Sequence, residues 1–561
     1  MKYAEIEFGF FDITAKEDGQ FDTTDAKSFV QMSQLQDDNI TPEYYMSNQW
    51  NYTILDGTYE VRDEGEYGFI SSEMTDENGD FENNPVITRE YENTHSTIGL
   101  GFTFSEEGCP KQIKITYYNG STQLGQYTDT VDALTYYSKH EVDDYNKWTL
   151  ELIGTKIPFR NAQIVEVHYG VFRTWSNDEI VSANLIEEID LASNELPIKE
   201  LTFELKDETG EYDILNPNGL YSTLREGQPL YLREKVDGTT VQMGTFYLTS
   251  WESTTGNIAK FTAQDIIGEL DKYQFEQTGL WQSVTFTNAL GRILEGRDIE
   301  YEIDPAVAQE TVSGYIETCT MREALQELCF TQRCYCISGR DNKLYIKRLN
   351  TSDTAYTIGK SITADMQVNL ADIVNQINVY GYVPFTEPPA EVWRKEYNET
   401  SNNIFSAEYD EPTTEAELHY ITLLGGTIQK LSGSLFGMRI RANVLYNENE
   451  DTKIWITGQK ITSEERLYIA EEQNANIIYP VEIKELHLIN QNNGQSIANH
   501  LLNYYAMRIS EEFKLLMTDE QIGDRVQITV GDYNRTGRIT KLDIDLANGF
   551  IATAKVVNEV E

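Results

Sequence analysis

The chain has 561 residues, 40% hydrophobic and 11% aromatic, with 44 Lys+Arg against 92 Asp+Glu and a net charge of −48. That apolar content excludes a disordered chain, and the length predicts about three to five domains. The charge argues against a nucleic-acid binder, which needs cations to displace phosphate counterions, and against docking on an anionic bilayer. Along the chain, Tyr3 to Ile13 alternates as a strand, with Ile6, Phe8 and Phe10 around Glu5 and Glu7, before a turn signal at Asp18-Gly19. From about Thr41 to Gly170 short alternating runs separated by Asp56-Gly57, Asn78-Gly79 and Asn119-Gly120 predict an all-β sandwich. Its strands include Thr97 to Phe104, Gln112 to Tyr118, Trp148 to Ile153 and Gln163 to Tyr169.

Glu179 to Ile189 reads as a strand and leads to SNELPIKELTFELKDETGEYDILNPNGLYSTLREGQPLYLR, Ser193 to Arg233. Here Leu201, Phe203 and Leu205 alternate with Thr202, Glu204 and Lys206, as in a half-buried strand. Asn216-Pro217-Asn218-Gly219 supplies a tight turn. Leu215, Asn216, Pro217, Gly219, Tyr221 and Leu224 are therefore packing or subunit-contact candidates rather than chemical groups. Strands at 245–248 and 259–263 follow, closed by a short helix at 264–270. Thr285 to Glu295 and Thr320 to Cys329 are expected helices, the second opened by a Thr320/Glu323 capping box. Strands 335–338 and 343–348 flank the turn Gly339-Arg340-Asp341-Asn342. The strand DIVNQINVYGYV precedes a loop marked by Pro384, Pro388 and Pro389, and 395–480 is polar and β-like. Ser496 to Phe513 is expected as one amphipathic helix, with Ile497, Leu501, Leu502, Tyr505 and Ile509 along one side. A hairpin turning at Asn548-Gly549 ends the pattern.

The segment SNELP…LNPNGLYSTLREGQP resembles the tail hub proteins of phages infecting Gram-positive bacteria. TMREALQELCFTQRCYCISGRDNKLYIKRL, DIVNQINVYGYV and TGRITKLDIDLANGFIATAKVV resemble that family too, so the likeness runs patchily over about 180–561. The region before it is similar in pattern to galactose-binding-like jelly rolls. The resemblance implies a mainly β fold with an α+β unit, in a multidomain phage hub architecture. It would hold two β-barrel ring domains, a small α/β domain and an inserted jelly-roll sandwich. The corresponding division is 1–34, first strands of barrel I; 35–174, sandwich; 175–272, rest of barrel I; 273–350, α/β domain. Then come 351–482, second hub domain and long loop, and 483–561, a helix and the β-barrel completing that domain. It implies a homotrimer at the virion tail tip or baseplate, assembled in the bacterial cytoplasm. Its partners would be a distal tail protein or tail tube ring, the tape measure protein and receptor-binding proteins. DNA would meet it only in passage, and acidic walls would let that polyanion pass without sticking. The sandwich would add host cell-wall glycan as a partner.

The residues themselves give little chemistry. None of the six histidines sits in HExxH or a similar metal spacing, and no GxSxG or Gly-rich phosphate loop occurs. No enzyme activity is expected. The odd set Cys109, Cys319, Cys329, Cys334 and Cys336 suits reduced thiols, and Cys329-x4-Cys334-x-Cys336 lacks paired zinc spacing. No h-region follows Met1-Lys2-Tyr3 and no apolar run approaches a membrane span, so neither leader nor anchor is expected. Asp76, Asn78 and Asp80 have the i, i+2, i+4 oxygen spacing of a calcium loop, but Phe81 stands where such a loop has Gly and Ile87 where it has Glu. The spacing allows a calcium site or a polar turn, and no other cofactor is expected. Tyr44, Tyr45, Trp50, Tyr117, Tyr136, Tyr137 and Trp175 are aromatic candidates for glycan stacking, against packing in a core. The reading is a structural tail hub, with a carbohydrate-binding adhesin as the alternative and a wall hydrolase behind it.

Overall fold

The computed structural model describes all residues except 1, 13–14, 17, 28–31, 36–67, 177, 211, 214, 217–223, 255–256, 276–277, 298, 351–353, 359–361, 422–425, 447–451, 474–475, 531–532 and 560–561. The fold is mainly β with an α+β unit, as the patterning predicts. Its centre is two barrels fused edge to edge. In the first, Lys2–Phe11, Pro229–Val236, Thr239–Thr254, Ile258–Gln264, Glu200–Lys206 and Ile180–Glu188 pair in that order, all antiparallel. Gly170–Trp175, paired with Lys2–Phe11, precedes Ile180–Glu188 closely in the chain, and Trp175 and Ile180 enter the same core. Strict alternation drives this: Leu201, Phe203 and Leu205 point inward to Phe8, Trp175 and Phe261, while Thr202 and Glu204 face out.

The second barrel repeats the plan later in the chain. Tyr356–Ile358 lies parallel to Arg525–Val530, and Ile362–Leu370 continues on the far side against Ile509–Leu516. Tyr533–Asp545 and Ile551–Asn558 complete it. Their hairpin turns at Asn548-Gly549, where Gly549 takes φ +84° as Asp545 caps the loop. Asn184 to Glu188 of barrel I pair with Asp545 to Lys541 of barrel II, so both belong to one sheet and share one core.

The sandwich leaves and returns between adjacent strands, with the Asp12 N–H donating to Tyr169 O at 2.9 Å. Such neighbouring ends let a long insertion cost barrel I little. Its five-stranded sheet runs Gln20–Asp22, Val86–Thr97, Val142–Thr155, Pro110–Asn119, Thr122–Thr130, and its four-stranded sheet Phe69–Met74, Asn161–His168, Leu100–Phe104, Thr135–Ser138. Trp148, Phe102, Ile115 and Tyr117 fill its own core. The sandwich thus begins earlier than residue 35, because Phe21 packs edge-on against Trp148. It also ends before 174, because Gly170–Trp175 is a barrel strand.

The α/β unit has its own core around Leu290, Leu325 and Leu328, with Leu196 and Leu270 entering it from the barrel side. Its helix Met321–Thr331 carries the expected capping box, Thr320 and Glu323 bonding each other's backbone N–H. Beyond it, Gln376–Thr386 and Lys453–Glu471 form a long antiparallel pair flanked by Ala390–Glu396, Thr413–Ile421 and Pro480–Ile483. A three-stranded sheet, Ser401–Glu408, Gly437–Val444, Gly426–Gly433, packs on this one. The long loop expected near Pro384 is therefore mostly strand: Pro384 pairs with Ser463 across that antiparallel pair. The single helix expected over 496–513 is also corrected. It is Gly494–Ala506, packing Ile497 and Leu501 on Ile377 and Val379, whereas Ile509 begins a barrel strand. Pairing with Ile362–Leu370 on one side and Ile551–Asn558 on the other occupies that strand's backbone groups, which overrides the helical spacing. Consequently the helix within 483–561 belongs to the distal sheet rather than to the barrel.

Candidate functional site

The SNELP segment is a joint. Between strands Ile180–Glu188 and Glu200–Lys206 the chain turns through Ser193, at φ +54°, and presents its backbone to the α/β unit. Ser193 Oγ donates to Cys334 O (2.9 Å), Arg322 Nε and Nη2 donate to Leu196 O (2.9 and 2.7 Å), and Gln326 Nε2 donates to Asn194 O. Asp190 caps the same turn, accepting from the Ala192 and Glu195 N–H groups and from Tyr504 Oη of the distal helix. Barrel I, the α/β unit and the distal helix therefore meet on the short stretch from Asp190 to Leu196.

Behind the joint lies a buried ionic cluster. Glu187, 1% exposed, takes Lys199 Nζ at 2.7 Å and Arg340 Nη2 at 3.5 Å. Arg340 reaches over from the turn of the α/β unit and also donates to Glu520 O of barrel II. Burial by itself would raise the Glu187 pKa, but the two cations outweigh it and hold the carboxyl below its usual range. Nearby Asp265, raised by burial, accepts from Ser338 Oγ. Sequence reasoning missed this cluster; its only trace was a charge at an inward-facing register position, since Glu187 falls between the buried Leu185 and Ile189.

At the barrel–sandwich boundary, His95 Nδ1 meets Asp12 Oδ2 and Nε2 meets Asp18 Oδ2, both at 3.0 Å. The His95 hydrogen bond is the main reason the Asp18 carboxyl lies far below the normal range. Arg89, fully buried, donates to Ala15 O and Lys16 O and lies over the rings of Phe21, Tyr91 and Tyr169. These contacts splice the insertion onto the barrel.

The glycan candidates scatter. Tyr117 is a core residue, edge-on to Tyr127 and Tyr145, and Trp175 is buried in barrel I against Phe8. Tyr136 and Tyr137 are half-buried on neighbouring positions of one short strand, Tyr137 tilted onto His168. Tyr44, Tyr45 and Trp50 lie outside the described residues. At Asp76 the chain makes a turn: Asp76 Oδ1 accepts the N–H groups of Asn78 and Asp80. The cation at this turn is Lys111, bonding Asn78 O at 2.7 Å and Asp80 Oδ1 at 2.8 Å. Among the described residues no group of three His, Cys, Asp or Glu side chains is placed to hold a metal. Cys329, Cys334 and Cys336 are buried in the α/β core, where mutual hydrogen bonding and then burial push the Cys329 thiol up. Of the assembly candidates, Leu215 is 88% exposed, Leu224 fills barrel I, and Asn216 Nδ2 closes a loop on Gly210 O. Pro217, Gly219 and Tyr221 lie outside the described residues.

A cleft of about 530 Å³ opens between the helix Met321–Thr331 and 482–486, lined by Glu317, Glu323, Glu327, Glu482, Glu485 and Lys484 among others. Burial, with Glu317 adding to it, pushes the Glu327 carboxyl up to about 8, against the opposing Leu488 N–H. His487 stacks on Tyr315 and reaches Glu317 at 3.0 Å. Cys319 also lines the cleft, its thiol pushed up to about 12 by burial and by the neighbouring Glu327, Glu323 and Glu317.

No protein-family model and no curated protein matches the chain. Among solved structures it is similar to a tail protein from Neisseria meningitidis MC58, at 10% identity over 69% of this chain and 94% of that one, with a TM-score of 0.42. It is similar to a prophage tail protein from Listeria monocytogenes EGD-e, at 10% identity over 69% and 91%, with a TM-score of 0.38. A family 32 CBM from C. perfringens NanJ, solved with galactose, is similar at 13% identity over 30% of this chain and 99% of that one, with a TM-score of 0.19.

Proposed function

We propose that the chain is a structural tail-tip or baseplate hub of a phage or phage-derived particle. In this reading three copies form a ring joining the tail tube to the host-recognition apparatus. The observation that carries it is the pair of barrels fused through Asn184–Glu188 and Lys541–Asp545, with the hub-like SNELP segment as the joint between them and the α/β unit. Two like barrels per chain give six in a closed threefold ring, the arrangement that can meet a sixfold tube. The joint and its buried cluster serve rigidity rather than catalysis. Passage of DNA rests on the charge of −48, which repels a polyanion. Across the barrel seam the outer face itself mixes charges, as in the pair Lys541–Glu188.

The test is light scattering of the purified chain followed by electron microscopy of particles. A mass of three chains and density for this chain at the tail tip are expected; a monomer that never enters particles would overturn the proposal. The adhesin reading is favoured by one feature, a sandwich with a separate core inserted at neighbouring chain ends. Retention of the full chain, and not of a sandwich-deleted chain, on Gram-positive wall polysaccharide would support it.

A further inference from the structure

The two barrels are an internal repeat. In barrel I the strands pair in the order Pro229–Val236, Thr239–Thr254, Ile258–Gln264, Glu200–Lys206, Ile180–Glu188. In barrel II the order is Arg525–Val530, Tyr533–Asp545, Ile551–Asn558, Ile509–Leu516, Ile362–Leu370, so the chain visits corresponding strands in the same sequence. Both series are antiparallel throughout. Irregular positions match too. The long central strands are bulged at Thr249 and at Thr540. Gly227 and Gly523, both at φ +85°, each donate to the residue before that bulge, Leu248 O and Ile539 O, at 2.8 Å. Pairing of Thr239–Thr254 with Pro229–Val236 stops at Tyr247, as that of Tyr533–Asp545 with Arg525–Val530 stops at Arg538. Aligned on the bulges and followed through the registers, Asn184–Glu188 corresponds to Gln367–Ala371, and Lys541–Asp545 to Ser250–Thr254.

The outer edge of Asn184–Glu188 is filled within the chain, by Lys541–Asp545. Its counterpart is an end of the sheet: among the described residues, Ile362–Leu370 pairs with Ile509–Leu516 alone. Burial differs accordingly. Leu185 and Glu187 are 0% and 1% exposed, whereas Val368 and Leu370, at the corresponding positions, are 55% and 66% exposed. Residues 366–371, MQVNLA, carry neither charge nor proline, the usual guards of a solvent-facing edge. Ile373, Ile477 and Ile478 add exposed apolar surface beside it. Asn375 holds these together, its Nδ2 donating to Ile477 O and its Oδ1 accepting the Tyr479 N–H, both at 2.7 Å. An unguarded edge with apolar flanks is a surface for association. The repeat indicates its occupant, since the seam that fits barrel I to barrel II within the chain can also fit barrel II to barrel I of another copy. We propose that Ile362–Leu370 pairs antiparallel with Thr239–Thr254 of a second copy, in the register of the internal seam. Val368 then faces Ser253, Asn369 faces Glu252 and Leu370 faces the Trp251 ring of that copy. Three internal seams alternating with three between copies close a ring of six barrels. The inference rests on the ring of the proposed function and specifies its contact.

Cross-linking and light scattering of the full chain test it, on the purified protein and on particles. Asn369 and Glu252 are both exposed. Directly opposite one another, their Cβ atoms would lie ~5 Å apart, within reach of a disulfide. Asn369→Cys with Glu252→Cys should give covalent dimers and trimers on mild oxidation, read on non-reducing gels. Asn369→Cys with Thr240→Cys, at the far end of the same strand, should not, nor should either single variant. Leu370→Asp should raise the concentration needed for trimers about tenfold or more. Its melting temperature as a dilute monomer should match the parent's, because the side chain is already exposed. Trimers that give no covalent ladder and ignore Leu370→Asp would overturn the seam and leave the hub reading intact. A parent that stays monomeric and never enters particles would overturn both. Leu370→Asp that keeps the trimer but bars the chain from particles would give the edge to a different tail protein and overturn the second copy as its occupant.

Discussion

Replacing Lys199 by Met is the sharpest test of the joint. Lys199 and Glu187 are 2.7 Å apart and almost wholly buried, so at an effective dielectric of ~20 their attraction is about 6 kcal/mol. Desolvating each ion costs several kcal/mol, which offsets most of that, so the intact pair adds little net stability. Removing one partner is different. The methylene stem is kept by Met, but Glu187 is left buried with only Arg340 at 3.5 Å. The expected cost is about 3–5 kcal/mol. Glu187→Met with Lys199→Met together should recover most of it, since Arg340 keeps the Glu520 carbonyl. The assay is calorimetry combined with native-state hydrogen exchange at the amides of Ile180–Glu188 and Glu200–Lys206. Because the native Glu187 pKa is depressed, its contribution is present above the unfolded value of ~4.3 and lost as pH falls through the lower folded value. The gap between Lys199→Met and the parent should therefore shrink below about pH 4. A single-variant cost under about 1 kcal/mol, or a double variant costing the sum of the singles, would refute the reasoning.

Phe261→Ala should cost about 3–5 kcal/mol, because its ring is fully buried among Phe8, Trp175, Phe203 and Tyr212; denaturant midpoints at unchanged m-value measure it. Glu327→Gln should grow more stabilising as pH rises. The Glu327 pKa is raised to about 8, so the stability it permits is present below ~4.3 and lost as pH climbs toward 8, a loss of about 3.6 kcal/mol at pH 7. A flat difference between parent and variant from pH 5 to 8 would contradict this. His95→Ala should lower the melting temperature of the sandwich more than that of the barrels, since it frees Asp12 and Asp18 together. Equal shifts in both transitions would mean that His95 is not the splice.

Much of the architecture was legible in the residues because the signals were local. The alternation of Leu201, Phe203 and Leu205, the Thr320/Glu323 box and the Asn548-Gly549 turn each act within a few residues, and each formed as read. The aromatic candidates were less legible. Tyr117 and Tyr136 carry the same side chain in the same alternating context, and only the stacking of the two sandwich sheets buries one and leaves the other at the edge.

The alternating barrel strands, the Thr320/Glu323 helix start and the absence of any short catalytic motif were determined by the sequence alone. The tertiary structure decided what the SNELP segment is for. It read as strand, turn and anchor, and became the place where Leu196, Ser193 and Asn194 hand barrel I to the α/β unit. It also decided that Ile509 belongs to a strand and that Glu187 has two cations beside it. The physical reason is common to these cases. Each depends on residues tens to hundreds of positions apart, brought together by burial and strand pairing, which no local period encodes.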